Sequence, residues 1–304
     1  MPWIARPPML NPPHFIIIGA MKCATSSLYQ QLVAQPGIFM TTPKEPNFFS
    51  NDEIYAQGIP WYEGLFAPAP PDALRGEAST HYTKLPTYPE TIARIQSHVG
   101  DVKLIYMMRH PLQRLVSHYI HEWTQRVIAT KTDINAALDR HPELIDYSRY
   151  SMQIQPYLEA FGPENVLPVF FEQFGNAPQQ ELERVCTFIG YPHAPQWQEL
   201  ERDNVSSQRM RKNKLRDAIA YAPGISTIRK NLIPKEVREW IKDRWRMQKR
   251  PELGAAERER VTAILDQDLA QLGAWLGVEL TCATFKTAAC TSPTGWPGWP
   301  QPSD

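Results

Sequence analysis

Cysteine is scarce in this chain: Cys23, Cys186, Cys282 and Cys290 are the four in 304 residues. They are too few and too scattered for a disulfide-stapled secreted scaffold, and no two form a CxxC pair of the kind that holds a metal. That usage implies a reducing compartment, and a cytoplasmic location is expected. Long apolar runs are also lacking. The opening MPWIARPPMLNPPH is proline-rich, and the apolar run behind it, residues 15–18, is far too short for a signal-peptide core or a membrane span. Net charge is missing as well, since 32 basic residues balance 32 acidic ones. No whole-chain field favours a nucleic-acid partner, and any anion site has to be local.

The remaining composition, 42% hydrophobic and 21% charged, is that of an ordinary soluble globular protein. Residues 15–18 are wholly apolar and mostly β-branched, as in a parallel strand buried on both faces. Gly19 ends the run. From Thr25, Leu28, Leu32 and Val33 recur at helical spacing, with Thr25 or Ser26 available as a cap. Pro36 and Gly37 stop that helix, and residues 38–40 suit a short second strand. The same strand-then-helix pattern returns at residues 103–108, where an apolar run enters Arg109 and Pro111 opens a helix with Leu112, Leu115, Val116 and Tyr119 on one face. A third strand is expected at 166–171, with a helix from about 178 to 189. The alternation predicts an α/β fold: one P-loop-like domain over residues 14–280, with a central parallel sheet flanked by helices.

Residues 201–250 hold fifteen Lys or Arg against six Asp or Glu, so the basic charge is concentrated there. Helices are expected at 235–247 and 255–276, the latter carrying an apolar stripe. Residues 1–13 read as a proline-rich arm. The tail 281–304, rich in Pro and Gly, predicts little regular structure.

Chemistry concentrates in two segments. The first is Gly19-Ala20-Met21-Lys22-Cys23-Ala24-Thr25-Ser26-Ser27-Leu28, where a lysine and three hydroxyls lie between a buried strand and a helix amino terminus. Free N–H groups, the helix dipole and the lysine charge suit a phosphate or sulfate there. It is not a Walker A loop, because no second glycine precedes the lysine. The second segment places Arg109 at a strand's carboxyl end and Ser117 on the following helix. Ligands of open α/β sheets bind at such ends, and an arginine forks naturally onto phosphate. Arg114, His118 and His121 on that helix read as solvated, and the two histidines lack the further ligands of a metal site, so no metal is expected.

Together the two segments resemble the 5′-phosphosulfate loop and the 3′-phosphate motif of sulfotransferases that use 3′-phosphoadenosine 5′-phosphosulfate. The likeness is greatest to the heparan-sulfate and bacterial carbohydrate-type branch. Lys22, Cys23, Ala24, Thr25, Ser26 and Ser27 follow the family loop, with Ala24 where the family has glycine. Lys44-Glu45-Pro46-Asn47-Phe48-Phe49 resembles the family's Lys-Glu-x-x-Phe-Phe stretch, and Trp61-Tyr62 with Phe66 its Trp-Tyr segment. The resemblance implies sulfuryl transfer to an acceptor hydroxyl or amine on a glycan, lipid-linked or small-molecule partner. It implies Lys22 at the leaving phosphate oxygen and Glu77 as the base, with His81 as its competitor. Lys44 is a candidate for the acceptor or the sulfuryl group, and Arg209 and Arg211 for the 3′-phosphate. A small-molecule kinase would need the complete Walker A loop. A non-catalytic anion-binding protein would keep the Lys22 loop as structure alone.

Overall fold

The computed structural model describes residues 9–199, 247, 249–291 and 295–300. Five strands make one parallel sheet: β1 (Phe15–Gly19), β2 (Ile38–Met40), β3 (Leu74–Ala78), β4 (Lys103–Met108) and β5 (Val166–Phe170), in the order β2-β3-β1-β4-β5. β1 is central, pairing in parallel with β3 on one side and β4 on the other, and all five of its residues are buried. From β1 the chain passes out to the edge strand β2, returns through β3 between the two, then crosses to β4 and β5 on the other side of β1. The strand order therefore reverses between β1 and β4, where open α/β sheets leave a crevice at their carboxyl ends. The β1–β4 register shifts between Ile17 and Gly19, so β1 bends away where the Lys22 loop leaves it.

Twelve α-helices surround the sheet in the described residues: α1 (Thr25–Val33), α2 (Asp52–Tyr55), α3 (Ile59–Gly64), α4 (Thr91–His98), α5 (Pro111–Gln125), α6 (Ile134–Arg140), α7 (Glu143–Asp146), α8 (Tyr150–Phe161), α9 (Phe171–Asn176), α10 (Pro178–Phe188), α11 (Ala255–Leu276) and α12 (Phe285–Cys290). α11 packs on α8 and closes the core with Val261, Leu265, Leu269 and Leu272, all fully buried. It also caps α8, because the buried Asp268 carboxylate accepts from Ser151 N (3.0 Å), Ser151 Oγ (2.6 Å) and Met152 N (3.1 Å). An anion on free helix N–H groups favours that end of the macrodipole.

The α/β architecture and the strands at 15–19, 38–40, 103–108 and 166–170 follow the sequence patterns. Three local expectations are corrected. No side chain caps α1, whose N-cap is Ala24 in a left-handed conformation. The third expected strand ends one residue early, because Phe171 begins α9. The tail is less irregular than its composition implies: α12 packs on α9, Phe285 is fully buried, and Trp296 Nε1 donates to Val166 O at 2.7 Å. The helix expected at 235–247 lies outside the described residues except for Met247.

One position tests how tightly the sheet is packed. A Cβ on Gly76 would lie 2.3 Å from the Phe15 ring and 2.8 Å from Met40 Sδ. Gly76→Ala is expected to lower stability by about 1–3 kcal/mol, the usual range for an overpacked core, as read from the midpoint of a denaturant titration at unchanged slope.

Candidate active site

The loop from β1 to α1 forms its cradle by turning left-handed twice, at Lys22 (φ 73°) and Ala24 (φ 65°). For residues with a Cβ this conformation costs roughly 1–2 kcal/mol each, which explains why glycine suits the Ala24 position. The N–H groups of Ala24, Thr25 and Ser26 have no backbone acceptor among the described residues. They are the free donors of a helix start, ready for an anion. Ser26 and Ser27 are exposed, whereas Thr25 is buried. Cys23 is fully buried against the Tyr150 hydroxyl at 3.6 Å, and burial pushes its thiol up to about 11. Its side chain packs, and only its backbone belongs to the cradle. Gly19 admits no side chain, since a Cβ there would sit 1.9 Å from Thr83 Oγ1.

Arg109 leaves the end of β4 and crosses to this loop, donating from Nη1 to Lys22 O at 3.3 Å and from Nη2 to Gln113 Oε1 at 3.1 Å. Its guanidinium lies over the Phe171 ring, 4.7 Å from the centroid, and its backbone is clamped by the Tyr150 hydroxyl, which donates to Arg109 O at 2.7 Å. Nε of Arg109 is buried without a hydrogen-bond partner among the described residues, a donor that a bound phosphate oxygen would satisfy. Ser117 is buried on α5 behind it. Arg209 and Arg211 lie outside the described residues.

The two carboxylates beside this cradle differ sharply. Glu77, at the end of β3, has no exposure; its Oε1 accepts from Tyr62 (2.6 Å) and Tyr82 (2.9 Å) and its Oε2 from Ser79 (2.8 Å). Burial raises Glu77 to about 7, against the three hydroxyl donors that lower it. Those donors tie β3 to an aromatic layer in which Phe48 stacks on Trp61 and Tyr62. Glu45, in the turn after β2, has a third of its side chain exposed. It pairs with Lys44 at 2.8 Å and accepts from Thr80 Oγ1 at 3.3 Å. Burial works to raise its pKa, but Lys44, His81 and Lys84 outweigh it and hold Glu45 below the ordinary carboxylate value. His81 stacks on Tyr88 at 5.0 Å with its Nδ1 buried and unpartnered among the described residues, and burial lowers its pKa to about 4. It is neutral at physiological pH.

Sequence reasoning passed over Glu45 as a chemical group, although its Lys-Glu-Pro turn was in view, and passed over Lys84 and Glu122 entirely. It also placed Arg114 and His118 in solvent, whereas both are buried. Arg114 donates to Ser148 Oγ (2.6 Å), Leu144 O (2.9 Å) and Met21 O (3.5 Å), and its Nη2 lies 3.1 Å from His118 Nδ1. α5 is covered on that side by α7 and by the loop itself, which periodicity cannot show.

A model of the sulfotransferase domain matches residues 12–273. The chain belongs to the sulfotransferase family. It is 31% identical over 188 residues to heparan sulfate glucosamine 3-O-sulfotransferase 3B1 of Mus musculus, covering 59% of this chain and 46% of that protein. To the Homo sapiens 3-O-sulfotransferase 3A1 it is 30% identical over 188 residues, covering 59% and 44%. It spans about half the length of the curated relatives it matches. Among solved structures, a sulfotransferase from Alicyclobacillus acidocaldarius superposes with a TM-score of 0.62 at 25% identity, covering 89% of this chain and 98% of the other. Among the described residues no helix is long and apolar enough to cross a membrane, and no cluster of His, Cys, Asp or Glu has the makings of a metal site.

The state of Glu77 has a measurable consequence. Its folded pKa, about 7, lies above its ordinary value, so its contribution to stability is full below the ordinary value and is lost as pH rises through about 7. Comparing thermal unfolding of the wild type with Glu77→Gln, the wild-type advantage is expected to narrow between pH 5 and pH 8, by at most on the order of 3 kcal/mol.

Proposed function

We propose that this sulfotransferase moves a sulfuryl group from 3′-phosphoadenosine 5′-phosphosulfate to an acceptor hydroxyl or amine, on a glycan or a small molecule. The observation that carries this reading is the bond from Arg109 to the Lys22 carbonyl, which joins two anion sites at one sheet end. A nucleotide phosphorylated at both its 3′ and 5′ positions is the ligand such a pair fits. The free N–H groups at Ala24 to Ser26 and the orphaned Nε of Arg109 supply the donors it needs. The relatives are named for 3-O-sulfation of glucosamine in heparan sulfate, which supports a carbohydrate hydroxyl as acceptor. A cytoplasmic setting is supported by four cysteines that are all free.

In the transfer, a bond forms between the acceptor oxygen and sulfur as the bond from sulfur to the 5′-phosphate oxygen breaks. The acceptor proton passes to a base, and negative charge grows on the departing phosphate oxygen. Lys22 and the loop N–H groups are suited to that charge, so the catalysis is chiefly positioning and electrostatic. For the base we favour Glu45 over Glu77. Glu77 is enclosed and fully engaged by three hydroxyls, whereas Glu45 is accessible and ionised at neutral pH. A general base must reach the proton it takes, and geometry comes before pKa. His81, neutral and beside Lys84 and Glu45, suits contact with the acceptor better than proton uptake.

A thermal-shift measurement with 3′-phosphoadenosine 5′-phosphate tests the reading, since a ligand that binds only the native state raises the unfolding temperature. A clear rise without metal is expected. No rise, or one that requires ATP and magnesium, defeats it. With an active acceptor, Glu45→Gln is expected to reduce turnover about 100-fold or more, in the range of lost general-base catalysis, while Glu77→Gln loses mainly stability. Because Glu45 is held below the ordinary carboxylate value, activity should fall on the acid side only below that value.

A further inference from the structure

Tyr150 belongs to neither anion site, yet its hydroxyl stands between them. It is the first residue of α8, has no solvent exposure, and is held in place from two directions. The Asp268 carboxylate on α11 pins the next two residues by accepting from Ser151 and Met152. The Tyr150 ring packs with its centroid 6.1 Å from that of Tyr106 and 6.4 Å from that of Phe285. A ring locked by packing on a helix whose start is itself pinned delivers its hydroxyl to one place.

That place is where the turn after β4 meets the loop after β1. The hydroxyl oxygen lies 2.7 Å from Arg109 O, 3.3 Å from Arg109 N and 3.6 Å from Cys23 Sγ. A tyrosine hydroxyl has one proton to give and lone pairs with which to receive. Arg109 O can only accept, so the proton goes there. The Arg109 N–H and the Cys23 S–H then donate to the oxygen, since the other acceptor within reach of the thiol, Met21 O, is farther away at 4.0 Å. Burial pushes the Cys23 thiol up to about 11, so its proton is present to be donated. The one hydroxyl is thus engaged, inside the protein, by both of the segments that carry the anion donors.

We propose that Tyr150 is a positioning residue: its hydroxyl, bonded to Arg109 and Cys23, fixes the distance between the two anion sites and thereby selects a nucleotide carrying phosphates at both ends. This rests on the reading of the donor nucleotide given above. The other tie between the two segments, from Arg109 Nη1 to Lys22 O, uses a guanidinium that a phosphate also attracts. The Tyr150 tie uses the Arg109 backbone and a buried thiol, groups that no ligand needs, so it does not compete with binding. Two phosphates on one ligand strengthen each other only when both sites can be met at once, and a fixed spacing preserves that gain. A nucleotide with one phosphate meets one site and is indifferent to the spacing.

Calorimetric titration with 3′-phosphoadenosine 5′-phosphate, adenosine 5′-phosphate and adenosine 3′-phosphate separates this role from simple packing. Tyr150→Phe keeps the ring and removes the hydroxyl. It is expected to weaken binding of the bisphosphate about ten-fold, the scale of one lost hydrogen bond, while affinity for either monophosphate changes by less than about two-fold. Cys23→Ala breaks the tie from the other end and leaves both Arg109 groups satisfied, so it decides the question by itself if Tyr150→Phe does not fold. It should weaken the bisphosphate alone, by about three-fold, a thiol being the weaker donor. Because both substitutions act through one hydroxyl, the double variant should lose no more than Tyr150→Phe does. Similar losses for all three nucleotides, an unchanged bisphosphate affinity in either single variant, or additive losses in the double variant overturn the proposal. A wild type that binds the bisphosphate no more tightly than the monophosphates overturns the reading of the donor nucleotide itself.

Discussion

A guanidinium with no solvent exposure must find its partners inside the protein, and that requirement at Arg114 organises one side of this molecule. Its donors reach Ser148, Leu144 and Met21 and lie against His118, so four parts of the chain converge on one charge: α5, α7, the turn between α7 and α8, and the loop after β1. The Lys22 loop, with two left-handed residues, is strained by itself. A bond from Arg114 to Met21 O and one from Arg109 to Lys22 O grip two successive carbonyls and help hold it open. The N–H groups of Ala24, Thr25 and Ser26 are left without a backbone acceptor among the described residues.

Beyond that anchor the site divides its charges by depth. Glu77 lies deepest and is spent on hydroxyls that join β3 to the aromatic layer. Glu45 lies nearer solvent and is kept ionised by the cations around it. The difference comes from the hydroxyls, lysines and water each carboxylate meets. Two glutamates of identical chemistry thus differ in reach, one enclosed and fully engaged and the other left accessible.

Much of the fold could be read from the chain because β1, β4 and β5 are nearly pure apolar runs followed by helical spacing. β3 could not, since its five residues are Leu74, Arg75, Gly76, Glu77 and Ala78, a strand whose polar members are covered by distant segments. The same limit governed the site. Lys22, Arg109 and the hydroxyls around Thr25 stand at strand ends, where position along the chain already signals chemistry. Arg114 gains its meaning only when α5 is laid against the loop after β1, and no periodicity marks that contact. His118 misled for the reason that Arg114 did: α5 is buried on more faces than a surface helix. Glu45 was hidden by its neighbour, because a lysine beside a glutamate reads as a solvated pair until the surrounding burial is known.

The segment after α11 turns back to the opposite end of the sheet's logic. Cys282 O meets His110 Nε2 at 2.9 Å, next to Arg109, and Trp296 locks onto β5. A residue 172 positions downstream therefore braces the turn that carries Arg109. During synthesis the loop after β1 emerges early, but the turn after β4 gains this brace only after residue 282 has left the ribosome, so the two loops are completed at different times.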